Sequence, residues 1–305
     1  RIRVFSNPAG HYGMMRRGSH DVVALDSCPL LPDQFNNEIL PWLRMLPPVE
    51  QIIIRLNGQG GWLLSLFGHA QRMRVMKKIL AAVPVDESPA PGCVGIMFNN
   101  RPIWGKDYLI NEVSGSKFRV SAQSFFQGNI AVTEEAVRLI RSWLQELKDK
   151  NELGELLGDL FCGVGLFSLT LGDLFEKVVA VDSDPYGCRD AENNVKRSNL
   201  QDKAKVYKGD LAKVLNDAKV MSAGQWESSC CVIDPPRTGL GKDGVTTLLD
   251  RKPRHIVYMS CDPATMARDT ASLVEAGYEI LKLQVLDMFP QTSHIETLIL
   301  LKKQG

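Results

Sequence analysis

From residue 156 to residue 302, short apolar runs alternate with stretches of helical periodicity, and this alternation restricts the architecture more than any other feature of the chain. Strands are expected at 156–161, 178–182, 205–208, 230–234, 255–260, 279–286 and 297–302. Helices are expected at 166–174, 185–198, 243–250 and 263–276. Parallel strands need long crossovers, and helices in the gaps supply them, so the pattern predicts a doubly wound, mostly parallel α/β sheet. No helical pattern fills 287–296, which makes the last strand an antiparallel hairpin partner of the one before it. Ahead of this region, residues 130–148 place Val132, Ala136, Leu139, Ile140, Trp143, Leu144 and Leu147 on one helical face.

The first third follows another pattern. Strands are expected at 2–5, 22–25, 51–56, 61–67, 94–98, 108–113 and 118–121, with hairpin chemistry at Asn57-Gly58-Gln59-Gly60. Met73, Met76, Ile79 and Leu80 recur at helical spacing over 72–82. This is an α+β domain without a nucleotide motif, and the boundary is placed between residues 121 and 122.

With 305 residues, 44% hydrophobic and 23% charged, the chain is long enough for two domains with cores of their own. No apolar run approaches the ~20 residues of a membrane span, so no membrane partner is expected. Seven scattered cysteines do not form a secreted disulfide framework, which points to a reducing cytoplasm. The chain starts at Arg1 without a methionine and is expected to be part of something longer; a monomer is expected. Residues 1–120 carry 14 Lys/Arg against 9 Asp/Glu, a net +5, while the remainder carries 22 against 26, a net −4. That asymmetry fits polyanion contact through the front, and equally an accidental imbalance on solvated surfaces.

The run 156–161 enters Cys162-Gly163-Val164-Gly165-Leu166-Phe167 and then a helix. Gly-x-Gly directly after a first strand lets a ligand approach the backbone closely. Asp182 ends the second strand 19 residues after Gly163, where an acid accepts hydrogen bonds from a ribose diol. Ser168 stands where a dinucleotide fingerprint has its third glycine, so a pocket for S-adenosylmethionine is favoured over a pyrophosphate cradle. A tight turn with a surface aspartate is the bland alternative. Asp210, after the third strand, is read both as an acceptor for an adenine amino group and as a helix N-cap.

Two prolines hold Asp234 at the tip of Cys230-Cys231-Val232-Ile233, aimed into the cleft at the carboxyl edge of the sheet. Cys230 and Cys231 are read as core. Cys261 follows the fifth strand and precedes Asp262-Pro263 and a helix, whose N-terminal partial charge is expected to lower the thiol pKa and make it a nucleophile. Glu296 opens an otherwise apolar strand, a costly place for a carboxylate that is neither paired nor used. His294 is read as structural or orienting. Ser124-Phe125-Phe126-Gln127-Gly128-Asn129 lies at the junction of the halves, with Phe125 a candidate stacking surface.

Taken together, Phe125-Phe126-Gln127-Gly128-Asn129, Asp159-Leu160-Phe161-Cys162-Gly163-Val164-Gly165, Asp234-Pro235-Pro236-Arg237-Thr238-Gly239, Ser260-Cys261-Asp262-Pro263-Ala264-Thr265-Met266-Ala267-Arg268-Asp269 and Asp287-Met288-Phe289-Pro290-Gln291-Thr292-Ser293-His294-Ile295-Glu296 resemble, in order, the RNA uracil-C5 methyltransferase family. The resemblance covers roughly residues 120–305. It implies a class I, Rossmann-like S-adenosylmethionine methyltransferase domain behind the N-terminal α+β domain. It further implies that Cys261 adds to C6 of uracil and that Glu296 removes the C5 proton after methyl transfer. Gln127, Phe161, Gly163, Gly165, Leu166, Asp182, Asp210 and Asp234 would line the cofactor and target-base pocket, with Phe125 and Asp234 toward the base. Two positions depart from the family: Asp262 replaces an asparagine, and Leu166 occupies a place often held by asparagine.

At the front, Arg16-Arg17-Gly18-Ser19-His20 and Val22-Val23-Ala24-Leu25-Asp26-Ser27-Cys28-Pro29 resemble ribosomal-RNA members that carry a four-cysteine iron–sulfur (4Fe-4S) cluster. Cys28 would be the last ligand of that set, in a chain truncated at its front, and 23S ribosomal RNA is then favoured over transfer RNA. Three rivals remain open. An adenine or guanine amino-methyltransferase would need no cysteine, a nicotinamide-linked oxidoreductase would bind NAD, and an idle RNA-binding module would bind without transfer.

Overall fold

The computed structural model describes residues 1–83, 87–222 and 224–304. The chain divides into two compact units, Arg1–Asn111 with Val120–Gln123, and Glu112–Arg119 with Ser124–Gly305. The chain therefore crosses between units more than once around the expected boundary.

The first unit is built on seven strands: β1 (Ile2–Ser6), β2 (Tyr12–Met15), β3 (Val22–Ala24), β4 (Gln51–Leu56), β5 (Trp62–Phe67), β6 (Cys93–Phe98) and β7 (Arg101–Gly105). Their spatial order is β3-β2-β1-β4-β5-β6-β7. All neighbours are antiparallel except β5 and β6, which are parallel. The helix α2 (Ala70–Ala81) supplies that crossover, as its apolar spacing predicts, and α1 (Leu40–Arg44) continues a helical turn at Phe35–Ile39. Ile52, Ile54, Leu64, Leu66, Ile96 and Phe98 alternate onto one buried face. Leu63 and Met97 pack on the other with Leu109 and Ala122. At the β4–β5 turn the Asn57 side chain accepts from the Gln59 and Gly61 amides, both at 2.9 Å.

Three elements here were not anticipated: β2, β7 and the helical stretch after Gln34. β2 is broken in sequence by Gly13, yet a Cβ there would sit 1.9 Å from the Val23 carbonyl oxygen, so the glycine is what admits β3. Pro102 obscures β7 and is tolerated because β7 is an edge strand.

A hairpin of β8 (Tyr108–Val113) and β9 (Ser116–Ser121) follows. In the second unit α3 (Ile130–Asp149) is N-capped by Asn129, whose side chain accepts from the Val132 amide at 3.3 Å. Ala136, Val137, Ile140, Trp143, Leu144 and Leu147 form its buried face, while Val132 and Leu139 lie at the margin.

The second sheet contains β10 (Leu156–Leu160), β11 (Lys177–Asp182), β12 (Ala204–Lys208), β13 (Cys230–Ile233), β14 (His255–Ser260), β15 (Tyr278–Leu286) and β16 (Glu296–Lys303). Helices α4 (Leu166–Leu171), α5 (Pro185–Arg197), α6 (Leu211–Leu215), α7 (Ala218–Met221), α8 (Gly241–Arg251) and α9 (Pro263–Glu275) lie between the strands. The order is β12-β11-β10-β13-β14-β16-β15. The expected parallel, doubly wound sheet is present, with Cys230 and Cys231 fully buried in it. β16 is antiparallel to β15, as read from sequence, and also to β14, because it inserts between them. The order reverses between β10 and β13, and ligands of such sheets bind outside the strand ends at that switch point.

Candidate active site

The ends of β10, β13 and β14 and the start of β16 meet at one edge of the sheet. Paired residues Leu160↔Ile233 and Ile233↔Tyr258 bring Phe161 and Asp234 to neighbouring strand tips. The pair Ser260↔Thr297 makes Cys261 and Glu296 the next residues across the β14–β16 ladder, although 35 positions separate them in sequence.

After β10 the backbone turns sharply, with left-handed φ values at Phe161 (64°), Gly163 (53°) and Gly165 (87°). Asp182 anchors this loop: its carboxylate accepts from the Gly163 amide at 2.8 Å and from the Asp184 amide at 2.7 Å. Ser168 donates through both its amide (2.8 Å) and its hydroxyl (2.5 Å) to the buried Asp159. The position that a third glycine would hold thus ties α4 to the strand, which explains why no pyrophosphate-type glycine is needed there.

A cavity of about 240 Å³ is lined by Phe161, Asp182, Ser183, Gly209, Asp210 and Leu240. A second, of about 30 Å³, is lined by Phe125, Gln127, Phe161, Gly163, Leu166 and Asp234. Phe161 lines both. A Cβ on Gly163 would meet nothing within 4 Å, so the loop backbone faces open space. Asp182 keeps acceptor capacity beyond the two amides it binds, since each carboxylate oxygen takes more than one hydrogen bond. These residues fit a nucleoside-bearing cofactor.

Carboxyl groups crowd the other side of this edge. Asp234 accepts from Gln127 Nε2 at 2.9 Å, yet its surroundings and the nearby Glu296 push its pKa up to about 8. Glu296 is 3% exposed, one of its oxygens has no partner, and burial raises it to about 7. Arg237 acts against that rise.

The thiol of half-buried Cys261 is raised, not lowered, which corrects the expectation from the helix N-terminus. Burial is the largest cause, and Glu296 and Asp234 add to it. The helix cannot compensate because Asp262 already caps it, accepting from the Ala264 and Thr265 amides at 3.0 Å each. The positive charge of Arg237 acts against that rise and favours the thiolate.

Residues 99–304 match the family model for tRNA (uracil-5-)-methyltransferase. The chain belongs to that family. An uncharacterized RNA methyltransferase of Enterococcus faecalis is 34% identical over 75% of this chain. The 23S rRNA (uracil(1939)-C(5))-methyltransferase RlmD of Aeromonas hydrophila is 28% identical over 96% of it. The chain spans 50% and 65% of the lengths of these two relatives. The solved Pyrococcus abyssi tRNA (uracil-54, C5)-methyltransferase, in complex with S-adenosyl-L-homocysteine, aligns with a TM-score of 0.75 and 20% identity over 98% of this chain and 74% of that one. The likeness places the second unit among class I, S-adenosylmethionine-dependent methyltransferase folds.

Within this chain, Gln127, Phe161, Gly163, Leu166, Asp182, Asp210 and Asp234 all line one or both cavities. Gly165 shapes the loop behind them. Asp210 also caps α6, accepting from the Lys213 amide at 3.3 Å, as its N-cap reading expects. Phe125 is 60% exposed, whereas Phe126 is buried against Phe118. His294 is exposed and stacks edge-on against Phe289.

Cys28 lies in the first unit, its backbone held by Asn36, which accepts from the Cys28 amide at 2.8 Å and donates to its carbonyl at 3.0 Å. Among the described residues no group of three or more His, Cys, Asp or Glu is placed to hold a metal. A single cysteine does not make a cluster site. The residue that sequence reasoning missed is Arg237; its signal was present in Asp-Pro-Pro-Arg, but only the fold brings it to Cys261.

Proposed function

We propose that this chain methylates C5 of a uracil in RNA, with S-adenosylmethionine as donor and a covalent Cys261–C6 adduct on the way. The observation that carries the reading is the juxtaposition, beside the nucleoside cradle, of a thiol and a buried carboxyl with a free oxygen. Bound in the cradle, the cofactor supplies an electrophilic methyl group.

Uracil C5 is a poor nucleophile. The Cys261 thiol loses its proton to solvent, and the thiolate, favoured by the charge of Arg237, forms a bond to C6; the C5–C6 π electrons move toward the C4 carbonyl and make C5 enolate-like. C5 then bonds to the methyl carbon as the sulfonium S–CH3 bond breaks, its electron pair staying on sulfur in the departing S-adenosylhomocysteine. Glu296, titrating near 7, is ionised enough at neutral pH to accept the C5 proton. The C5–H electrons re-form the double bond and expel the thiolate, which restores Cys261. Asp234 titrates higher, so its protonated form can donate to a base edge while Gln127 holds it in place. A base inside a duplex cannot reach such a site, so the target is single-stranded or flipped out, with exposed Phe125 as its stacking surface.

Ribosomal RNA is the preferred target. The motif at Arg16–Pro29 and the presented Cys28 support this, and a relative named for 23S rRNA aligns over 96% of the chain. The basic N-terminal residues are the proposed RNA-contacting surface.

RNA carrying 5-fluorouracil tests the mechanism, because fluorine at C5 cannot leave as a proton and the adduct accumulates. Wild-type protein should form an adduct stable to denaturing electrophoresis, and Cys261→Ala should form none. Adduct with Cys261→Ala would overturn the reading. On ordinary RNA, Glu296→Gln should methylate and then stall as an adduct; normal turnover would remove Glu296 from its role.

A further inference from the structure

Arg237 is exposed and lies on a loop, yet it is the group that faces the Cys261 thiol with positive charge. An exposed arginine carries several rotatable bonds and holds no fixed place by itself. What fixes the loop that carries it is a set of contacts one layer below. The Asp269 side chain, 2% exposed on α9, accepts from the Leu240 amide at 2.7 Å and from the Tyr258 hydroxyl at 2.9 Å. Its other oxygen accepts from Arg268 Nε at 3.0 Å and Nη2 at 2.8 Å. Arg268 Nη2 also donates to the Thr238 carbonyl at 2.8 Å, and the Thr265 hydroxyl donates to the Arg237 carbonyl at 3.1 Å. Gly239 fits only because it has no side chain: a Cβ there would lie 2.4 Å from Asp269 Oδ2 and 2.8 Å from Arg268 Nη2.

We infer that Asp269 is a positioning residue that clamps the 237–240 loop to α9 and β14, and so keeps the Arg237 charge near Cys261. Asp269 touches no reacting atom. Tyr258 precedes Cys261 by three residues on β14, and Asp262, Thr265, Arg268 and Asp269 lie on or at the head of the helix that follows it. The clamp therefore joins the Arg237 loop to the same strand–helix unit that presents the thiol. Its role in turnover rests on reading Cys261 as the nucleophile, but its effect on the thiol does not.

The charged and titratable groups facing that thiol are Arg237 from the loop, Glu296 from β16 and Asp234 from the tip of β13. Asp262, at the helix head, also feels Arg237. With Arg237 displaced, the two carboxyl groups remain and nothing opposes them, so the thiolate is disfavoured.

The test is the pH dependence of iodoacetamide alkylation at Cys261, followed on its own peptide by mass spectrometry in the full chain without RNA. Asp269→Ala should move the profile to higher pH and slow alkylation at pH 8 several-fold, up to about tenfold, as Arg237→Ala should. The double variant should be no slower than either single one. Asp269→Asn, which keeps an oxygen acceptor for Leu240 and Tyr258, should recover part of the rate. Gly239→Ala should reproduce the shift by pushing the loop off Asp269, and together with Asp269→Asn it decides the matter if Asp269→Ala does not fold. Lowered melting temperatures with unchanged profiles, or additive effects of Asp269→Ala and Arg237→Ala, would overturn the clamp. Neither outcome touches the fluorouracil adduct, which judges the proposed reaction separately.

Discussion

Replacing Glu296 by glutamine removes an ionisable group from a place that resists ionisation, and the effect on stability has a definite sign. The carboxyl is 3% exposed and titrates near 7 in the folded chain against 4.5 ordinarily. Below pH 4.5 it is protonated in both folded and unfolded chains and costs nothing. Between 4.5 and 7 the unfolded chain ionises first, so the wild type loses stability as pH rises, and the loss levels off above 7. The gap between the two pKa values corresponds to about 3 kcal/mol. Glutamine does not titrate. The unfolding free energy of Glu296→Gln relative to wild type should therefore grow by about 3 kcal/mol from pH 4.5 to pH 8, measured by urea denaturation at a series of pH values. Asp234 is present in both proteins, and the variant frees it of the Glu296 charge, which acts in the same direction. A difference that stays flat across this range would mean that Glu296 ionises freely in the fold. The buried-base argument would then fail, whatever the variant does to turnover.

Two further outcomes follow from the cradle and the base-stacking surface. Gly163→Ala should cost about 1 kcal/mol of stability for its left-handed backbone. It should also weaken S-adenosylhomocysteine binding in calorimetry, since the new Cβ enters the open space beside the loop. Phe125→Ala should leave the melting temperature almost unchanged, because the ring is 60% exposed, while weakening single-stranded RNA binding tenfold or so, as expected for a lost stacking contact of about 1–3 kcal/mol. An RNA affinity equal to wild type would remove Phe125 from the base site.

Local patterns carried most of the architecture. The alternation of runs after residue 156 marked all seven strands of the second sheet, most plainly β10, β11, β13 and β14, because buried parallel strands are continuous apolar stretches bounded by turn residues. β2 and β7 escaped notice because Gly13 and Pro102 interrupt short runs whose place is justified only by a neighbour or an edge. The cradle was legible for a related reason: a left-handed backbone at Gly163 and Gly165 demands glycine, so the need is written into the residue itself.

The sequence by itself determined the fold class and the loop at the first strand tip, and it marked the thiol and carboxyl proposed for the chemistry. Their electrostatics were decided only in three dimensions. β16 inserts between β14 and β15, and that insertion sets Glu296 beside Cys261, where its charge adds to the burial that raises the thiol pKa. Burial and the charges of residues distant in sequence set these pKa values, and no local pattern encodes either. The position of Arg237 has the same origin, since it depends on a carboxylate 32 residues further along the chain that never meets the substrate.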